Sequence, residues 1–446
     1  MQSIAVSKSW ATNPFPVLSS LLRAMIRFGQ LTIIDARGRM RDFGDDRTGP
    51  SVTLRFSDPG LPRKLVLNPS LAFGEAYMDG RLTIERGTLR DFLLLAAHGM
   101  AALENHPVQR FCRLFQRSSG QRNPLSRSRS NVAHHYDLSG ALYDLFLDAD
   151  RQYSCAYFEH GDETLEEAQA AKKRHLAAKL RLKPGSEVLD IGCGWGGLAL
   201  HLAQSERVKV TGITLSTEQL NLARGRAVEM DLSRQVRFEL RDFREETGQY
   251  DNIVSVGMFE HVGQEDYSTF FKSIARALKP DGVALVHSIG RMEQPGAADP
   301  WIDKYIFPGG YIPALSEAVA AVEKSGLWIT DIEILRVHYA ETLRLWNERF
   351  QARRAEASEI YDERFCRMWE YYLTASEMMF RNGALMVFQI QLAHKRDAVP
   401  LTRDYMAGDR QPVRALPIAS SAVMQLPNCR SELPVQEPGG SGDYAT

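Results

Sequence analysis

Apolar residues in the middle of the chain form short continuous runs that alternate with stretches of helical spacing. Such runs are typical of buried strands, and here they end at glycines or polar residues. They predict strands at 186–192, 207–215, 236–240, 250–256 and 282–289, helices at 194–204, 216–229 and 266–282, and late strands at 328–335 and 385–393. Strands alternating with helices indicate a doubly wound, mostly parallel α/β sheet.

The front of the chain has a different pattern. Residues 17–35 predict an amphipathic helix leading into a strand, 52–57 and 63–67 are strand-like on either side of a turn signal, and 71–97 return to helical spacing. The organisation that follows is a small α+β domain over 1–108, a basic linker over 109–130, the α/β domain over 131–399, and an aperiodic tail, predicted to be disordered, over 400–446.

Composition narrows the function classes. The chain has 446 residues with 44% hydrophobic content and a formal net charge of −1, so no overall field favours nucleic acid or a membrane. Its five cysteines lack paired spacing, which predicts reduced thiols in the cytoplasm. We expect no signal peptide, and no run reaches the roughly 18 apolar residues of a membrane span.

A glycine loop between a strand and a helix is the first chemical signal. Asp190 precedes the GxGxG loop, and the acid that dinucleotide sites have after the second strand is lacking. Here the second strand ends at 212–216, leaving Thr214, Ser216 and Gln219 to hold a ribose. The alternative is a loop that only packs helix on strand.

Polar residues at strand ends are the second signal. Glu260 follows one strand of the predicted sheet and His287 lies near the carboxyl end of another, where ligands bind in such folds. Cys155 precedes the sheet and Tyr339 follows a late strand. Each of them also has an ordinary structural interpretation, as a core residue. HExxH and CxxC patterns are lacking, so no metal site is predicted.

Several longer motifs resemble the cyclopropane-fatty-acyl-phospholipid synthase family. They are QYSCAYF (152–158), VLDIGCGWGGLALHLA (188–203), GITLSTEQ (212–219), DNIVSVGMFEHVG (251–263), DPWIDKYIFPGGYIP (299–313) and YYLTASEMMFRNG (371–383), with GEAYMDG (74–80) in the front domain. The resemblance runs from about His134 to about Arg396. It implies a Rossmann-like methyltransferase sheet with a smaller N-terminal domain, and a homodimer.

The resemblance also implies site residues. S-adenosylmethionine is expected against Tyr153, Ser154, Asp190, Gly192, Cys193, Gly194, Trp195, Gly196, Gly197, Thr214, Leu215, Ser216, Gln219, Asp242 and Phe243. A bicarbonate ion is expected in a pocket formed by Cys155, Glu260, His287, Tyr339 and the backbone of Ile289. The chain departs from the family at Ser376, a catalytic position where a cysteine is usual, and at Ser139-Gly140, where Gly-Asn is usual.

These residue types suit methyl transfer to an alkene. Attack of the double bond on the sulfonium methyl leaves a carbocation on the chain, which needs an apolar tunnel that excludes water. Aromatic faces stabilise such a cation. Candidate residues to line the tunnel are Tyr305, Phe307, Tyr311 and Phe380, and each of them is equally well explained as an ordinary core aromatic. Loss of a proton to bicarbonate then closes a cyclopropane ring.

The expected substrate is an unsaturated phospholipid acyl chain, reached from the cytoplasmic face of the membrane. The amphipathic stretch 17–31 and the arginines between Arg110 and Arg129 are candidates for peripheral contact with an anionic surface. For the helix, packing on the front domain is the competing interpretation.

Other function classes stay open at this point. They are methyl or methylene addition to the acyl chain without ring closure, a small-molecule N-methyltransferase, a nucleic-acid methyltransferase and a cofactor-binding module without catalysis. The near-zero net charge gives the nucleic-acid enzyme little support, so we expect no nucleic-acid partner.

Overall fold

The computed structural model describes residues 15–44, 48–104 and 140–407. The predicted basic linker, Ser139 and almost all of the predicted tail lie outside these ranges. The described residues belong to one compact unit. The predicted domain boundaries therefore stay predictions.

A four-stranded sheet and its helices form the front of the chain. In chain order the elements are α1 (Phe15–Met25), β1 (Gln30–Ile34), β2 (Met40–Phe43), β3 (Ser51–Phe56), α2 (Leu61–Leu67), α3 (Pro69–Met78), β4 (Leu82–Arg86) and α4 (Leu89–Glu104). The strand order is β2-β1-β3-β4, with β1 and β3 parallel and the other pairs antiparallel. The α+β character predicted for this region is present.

Two predictions for this region are wrong. Residues 63–67 are helical, within α2, because Leu61, Leu65 and Val66 are buried together at helical spacing and Pro62 begins the helix without needing an N–H partner. The helix predicted over 71–97 is interrupted by β4. Gly80 and Gly87 flank that strand with φ of +69° and +80°, values at which a helix cannot continue.

A seven-stranded sheet forms the rest of the described chain. Its elements are α5 (Gly140–Phe146), α6 (Leu165–Leu180), β5 (Glu187–Ile191), α7 (Gly197–Glu206), β6 (Lys209–Thr214), α8 (Thr217–Glu229), β7 (Val236–Leu240), β8 (Tyr250–Val256), α9 (Tyr267–Ala277), β9 (Leu278–Arg291), α10 (Pro300–Tyr305), α11 (Leu315–Glu323), β10 (Trp328–Ile334), α12 (His338–Ala352), α13 (Arg354–Ile360), α14 (Glu363–Asn382), β11 (Leu385–Ala393) and α15 (Asp404–Ala407).

The order of this sheet is β10-β11-β9-β8-β5-β6-β7. Strands β7, β6, β5, β8 and β9 are parallel, and β11 is inserted antiparallel between β9 and β10. This confirms the predicted doubly wound Rossmann-like sheet and its two late strands. The helix predicted to run to Gly282 ends at Ala277, because residues 278–282 already belong to β9.

One apolar core joins the two sheets. It contains side chains of α1 and β3, the aromatic residues of α5, and Trp346 and Trp369 of α12 and α14. The apolar stripe of α1, including Leu18, Leu21 and Leu22, is buried in this core. The α1 stripe is therefore not available to a membrane, and the packing interpretation of this helix holds. Among the described residues, no helix is both long and apolar enough to cross a bilayer.

Candidate active site

The site begins at the glycine loop after β5, where three glycines have positive φ. Gly196 has φ +82°, and a side chain there would collide with the Phe238 ring, so this glycine lets α7 pack on the sheet. Gly194 has φ +55°, and nothing lies within 4 Å of a Cβ added to it. The same loop therefore contains one glycine needed for packing and one that faces open space.

That open space belongs to a cavity of about 160 Å³ at the carboxyl ends of β5, β6 and β8. Thirteen of the fifteen residues predicted to contact the cofactor line it: Tyr153, Ser154, Asp190, Gly192, Cys193, Gly194, Trp195, Gly197, Thr214, Leu215, Gln219, Asp242 and Phe243. Gly196 and Ser216 lie outside the lining. Ser216 instead caps α8 by accepting a hydrogen bond from the Gln219 N–H at 3.3 Å.

The ribose candidates form a short hydrogen-bonded chain. The Thr214 hydroxyl donates to Gln219 Oε1 at 3.0 Å and accepts the Ser216 N–H at 3.2 Å. Because its carbonyl oxygen is occupied, Gln219 presents amide donors, which suit hydroxyl oxygens of a ligand. At the next strand, Asp242 is paired with Arg244, with Oδ1 2.8 Å from Nε.

A buried carboxyl group and a buried ammonium group both line the cavity. Burial raises the pKa of Asp190 to about 7, and its Oδ2 has no hydrogen-bond partner among the described residues. Lys172 of α6 is fully buried, and burial lowers its pKa to about 8. Both residues line the cavity, and the charge of Lys172 opposes the upward shift of the Asp190 pKa.

Lys172 was missed by sequence reasoning. The signal was its place on the inward face of α6, at helical spacing from buried Leu165, Ala168 and Leu176. Sequence reasoning also missed the cavity-lining role of other residues: Arg151, Gln152, Ile191, Leu198, Ile213, Arg241, Arg244, Val256, Gly257, Met258, His261, Val262, Pro308 and Gly309.

The predicted bicarbonate residues lie beside the cavity and outside its lining. Glu260 Oε1 accepts the Ile289 N–H at 2.6 Å, so that N–H binds Glu260 here. The other oxygen, Oε2, has no hydrogen-bond partner among the described residues. Burial raises the pKa of Glu260 to about 7, so its carboxyl is divided between charged and neutral forms at neutral pH.

His287 occupies a different environment from Glu260. Its Nδ1 accepts the Gln389 amide at 3.1 Å, and burial lowers its pKa to about 3. The ring is therefore neutral with its proton on Nε2. Its charged neighbours include Lys172 and Lys179 of α6, and no hydrogen bond between described residues joins it to Glu260.

Tyr339 belongs to α12, and the segment containing Cys155 is hydrogen-bonded to the same helix. Burial raises the pKa of the Cys155 thiol, which therefore stays protonated, and the neighbouring Ala156 N–H donates to Thr342 at 3.0 Å. The Tyr339 ring packs edge-on against Trp346 and lies 4.8 Å from the Phe380 ring centre. Tyr339 is one turn from Thr342, so these two residues approach the site from one helix.

Ser376 is half-buried on α14 and is not among the residues lining the cavity. Within the described ranges, no group of three or more His, Cys, Asp and Glu side chains is arranged to hold a metal ion.

Part of the cavity wall is supported by the front of the chain. Residues 308–309 line the cavity, and the segment before them packs on α3. Trp301 is fully buried against Gly74, where any side chain would collide with its ring. Glu75 accepts the Tyr305 hydroxyl at 2.9 Å and the Lys304 ammonium at 2.7 Å.

Comparison with known proteins gives matches over both parts of the chain. Residues 124–390 match the family model for mycolic acid cyclopropane synthetase, and 27–102 match a domain of unknown function. Cyclopropane-fatty-acyl-phospholipid synthase of Escherichia coli K12 is 40% identical over 76% of this chain and 86% of its own length. A probable fatty acid methyltransferase of Pseudomonas putida is 37% identical over 80% of this chain and 92% of its own.

Solved structures show the same relationship. A mycolic acid cyclopropane synthase complexed with SAH and CTAB is 36% identical, with a TM-score of 0.56. The match covers 59% of this chain and 97% of that one.

Proposed function

Because the chain belongs to the mycolic acid cyclopropane synthetase family, we propose that it transfers a methyl carbon from S-adenosylmethionine to the double bond of an unsaturated phospholipid acyl chain and closes a cyclopropane ring. It is an S-adenosylmethionine-dependent methyltransferase. The observation that carries the proposal is the cavity at the carboxyl ends of β5, β6 and β8, with its glycine loop and buried charges.

The residues present fit the cofactor. S-adenosylmethionine supplies an electrophilic methyl group on a positively charged sulfur when bound. The unpartnered Oδ2 of Asp190 needs a donor, which an ammonium group of the ligand provides, and the open space at Gly194 lets the backbone approach it. Thr214 and Gln219 are suited to the hydroxyl groups of the nucleoside.

The residues present also fit a small anion beside the cavity. Bicarbonate supplies a base when bound. His287 Nε2, the Tyr339 hydroxyl and the neutral form of Glu260 are donors that carry no negative charge. The Cys155 thiol is also uncharged, and it donates to the Ala156 carbonyl oxygen at 3.2 Å when no anion is bound. We propose that these residues hold bicarbonate, with Glu260 positioned by its hydrogen bond to Ile289.

The surroundings suit a carbocation on the acyl chain. Tyr339, Trp346 and Phe380 form an aromatic group in the core beside Cys155. Burial keeps water away from these rings, and aromatic faces stabilise a cation by about 2 kcal/mol when desolvated.

Product analysis tests the function. Purified protein, unsaturated phospholipid vesicles and S-adenosylmethionine should give acyl chains heavier by one CH₂ unit, with upfield ring-proton signals in the NMR spectrum. Chains of unchanged mass would refute the proposal. A methylene-branched product has the same mass but shows vinyl protons, and that result would replace ring closure by methylene addition to the acyl chain.

We also propose peripheral contact with an anionic membrane surface, through arginines of the basic linker. Each arginine near such a surface adds about 1 kcal/mol of attraction, which salt screens. Replacing Arg113, Arg117, Arg122 and Arg127 by Gln should reduce co-sedimentation with anionic vesicles and leave binding to neutral vesicles unchanged. Equal binding of both proteins to anionic vesicles at low salt would remove the linker from this proposal.

A homodimer is proposed on the family resemblance alone. Sedimentation equilibrium should give twice the protomer mass of 50.2 kDa. A single species at the protomer mass across micromolar concentrations would refute it.

A further inference from the structure

We propose that Lys172 is a positioning residue that sets the Ser154 hydroxyl to donate a hydrogen bond to the amino-acid end of S-adenosylmethionine. This inference rests on the proposed function, because it concerns the same cofactor. Lys172 belongs to neither the glycine loop nor the predicted bicarbonate pocket.

The first step is the burial of the lysine. Lys172 has no exposed surface, although an isolated buried ammonium is strongly disfavoured. Its Nζ donates to Gln152 Oε1 at 2.7 Å and to Ser154 Oγ at 2.8 Å. Asp148 and Asp150 are the nearby carboxylates that favour its charged form, and with a pKa of about 8 it is an ammonium at neutral pH.

The second step is the direction of the Ser154 proton. An ammonium only donates, so Ser154 Oγ accepts from Lys172 and keeps its own proton for another partner. Ser154 lines the cavity, and no other hydrogen bond of its hydroxyl is present among the described residues. The Ser154 hydroxyl is therefore available to donate a hydrogen bond to a ligand. A negatively charged acceptor, such as a carboxylate, would form the strongest bond with it.

The third step concerns how the backbone of residues 152–154 is held in place. Gln169, one turn before Lys172 on α6, donates from its amide to the backbone carbonyls of Gln152 at 3.2 Å and Ser154 at 2.9 Å. The backbone of this segment is thus fixed without the lysine. What Lys172 adds is the orientation of two side chains and a positive charge.

The fourth step is the charge pattern. The carboxyl group of Asp190 and the ammonium of Lys172 line the same cavity, and the charge of Lys172 favours the ionised form of Asp190 against the effect of burial. A ligand end that carries an ammonium and a carboxylate complements this pair. The nucleoside end of the cofactor is uncharged and cannot account for it.

Two ligands separate this role from a merely structural one. S-adenosylhomocysteine has the amino-acid end, whereas 5′-methylthioadenosine has the nucleoside and sulfur only. Calorimetry on Lys172→Met should show about 10- to 100-fold weaker binding of S-adenosylhomocysteine, the range for a hydrogen bond to a charged group. Binding of 5′-methylthioadenosine should stay within about threefold of wild type, below the effect of one such bond.

Lys179→Met is the matched control, since Lys179 is equally buried on the same helix and does not line the cavity. It should leave the ratio of the two affinities unchanged. Ser154→Ala should reproduce the selective loss, and the double variant with Lys172→Met should add little to it. If Lys172→Met does not fold, Lys172→Gln takes its place in both the affinity ratio and the double variant.

Equal weakening of both ligands by Lys172→Met, or losses that add fully in the double variant, would overturn the inference. Selective and non-additive loss supports it. Failure of the wild-type protein to bind S-adenosylhomocysteine would instead overturn the proposed function, and the inference with it.

Discussion

Replacing Gly194 by alanine tests the cavity where the backbone is expected to touch the cofactor. Its φ of +55° is left-handed, so an alanine there costs about 1–2 kcal/mol of folding stability. No atom lies within 4 Å of the added Cβ, so no clash adds to that cost in the ligand-free protein.

The effect on the cofactor is larger. A Cβ lies about 1.5 Å from its Cα, while contacting carbon atoms stay about 3.5–4.0 Å apart. A ligand touching Gly194 on that side must therefore move by roughly the length of that bond. Because a displacement of about 1 Å costs about 100-fold in catalysis, we expect kcat/KM for S-adenosylmethionine to fall at least that far.

Gly185→Ala is the matched control. Gly185 has φ +85° with nothing within 4 Å of an added Cβ, and it precedes β5, at the end of the strand opposite the cavity. Both variants should lose similar thermal stability, and only Gly194→Ala should lose affinity for S-adenosylhomocysteine in calorimetry. Equal affinities in the two variants would show that the loop does not contact the cofactor.

Three further predictions concern the residues beside the cavity. Glu260→Gln should lower turnover by about 10²- to 10⁴-fold while the affinity for S-adenosylhomocysteine stays near wild type. Unchanged turnover in bicarbonate buffer would show that Glu260 has only a structural role. Because burial raises the Glu260 pKa from 4.5 to about 7, the folded state holds its proton more tightly than the unfolded chain, so wild-type stability should fall relative to Glu260→Gln as the pH rises from about 4.5 to 7. The full difference is at most about 3 to 4 kcal/mol, and the partial exposure of Glu260 reduces it. Denaturant melts that show no trend with pH would contradict this prediction. Ser376→Ala should keep most activity because Ser376 does not line the cavity, and a loss beyond about 100-fold would show a role for the hydroxyl.

The sheet was predictable from sequence because its strands are continuous buried runs. The helix at 61–67 was not, since a short apolar run has no periodicity that separates helix from strand. Its helical form follows from Pro62 and from burial against the front core, which is a tertiary effect. Strand β4 was also not predicted, because its residues are mostly exposed or half-buried and form no continuous apolar run.

The site residues also differ in how far the sequence alone could reveal them. The glycine loop and Asp190 form a linear motif at a strand end, so sequence could find them. Lys172 is found only when α6 is placed against the Gln152–Ser154 segment, because a lysine on a helix is ordinarily solvated. That Glu260 and His287 share one pocket stays a prediction. Their hydrogen bonds are with Ile289 and Gln389, and strand ends alone do not specify which way a side chain turns.

The packing of α3 on the segment before residues 308–309 makes the front of the chain part of the support of the cavity wall. The wall it helps to form rests on Trp301, which in turn rests on Gly74, more than two hundred residues earlier in the chain. Ligand binding and packing of the front sheet are thereby thermodynamically linked, so that each stabilises the other. We therefore expect a side chain introduced at Gly74 to displace Trp301 and disturb the cavity wall, and a chain that begins after α4 to lose the helix on which that wall rests.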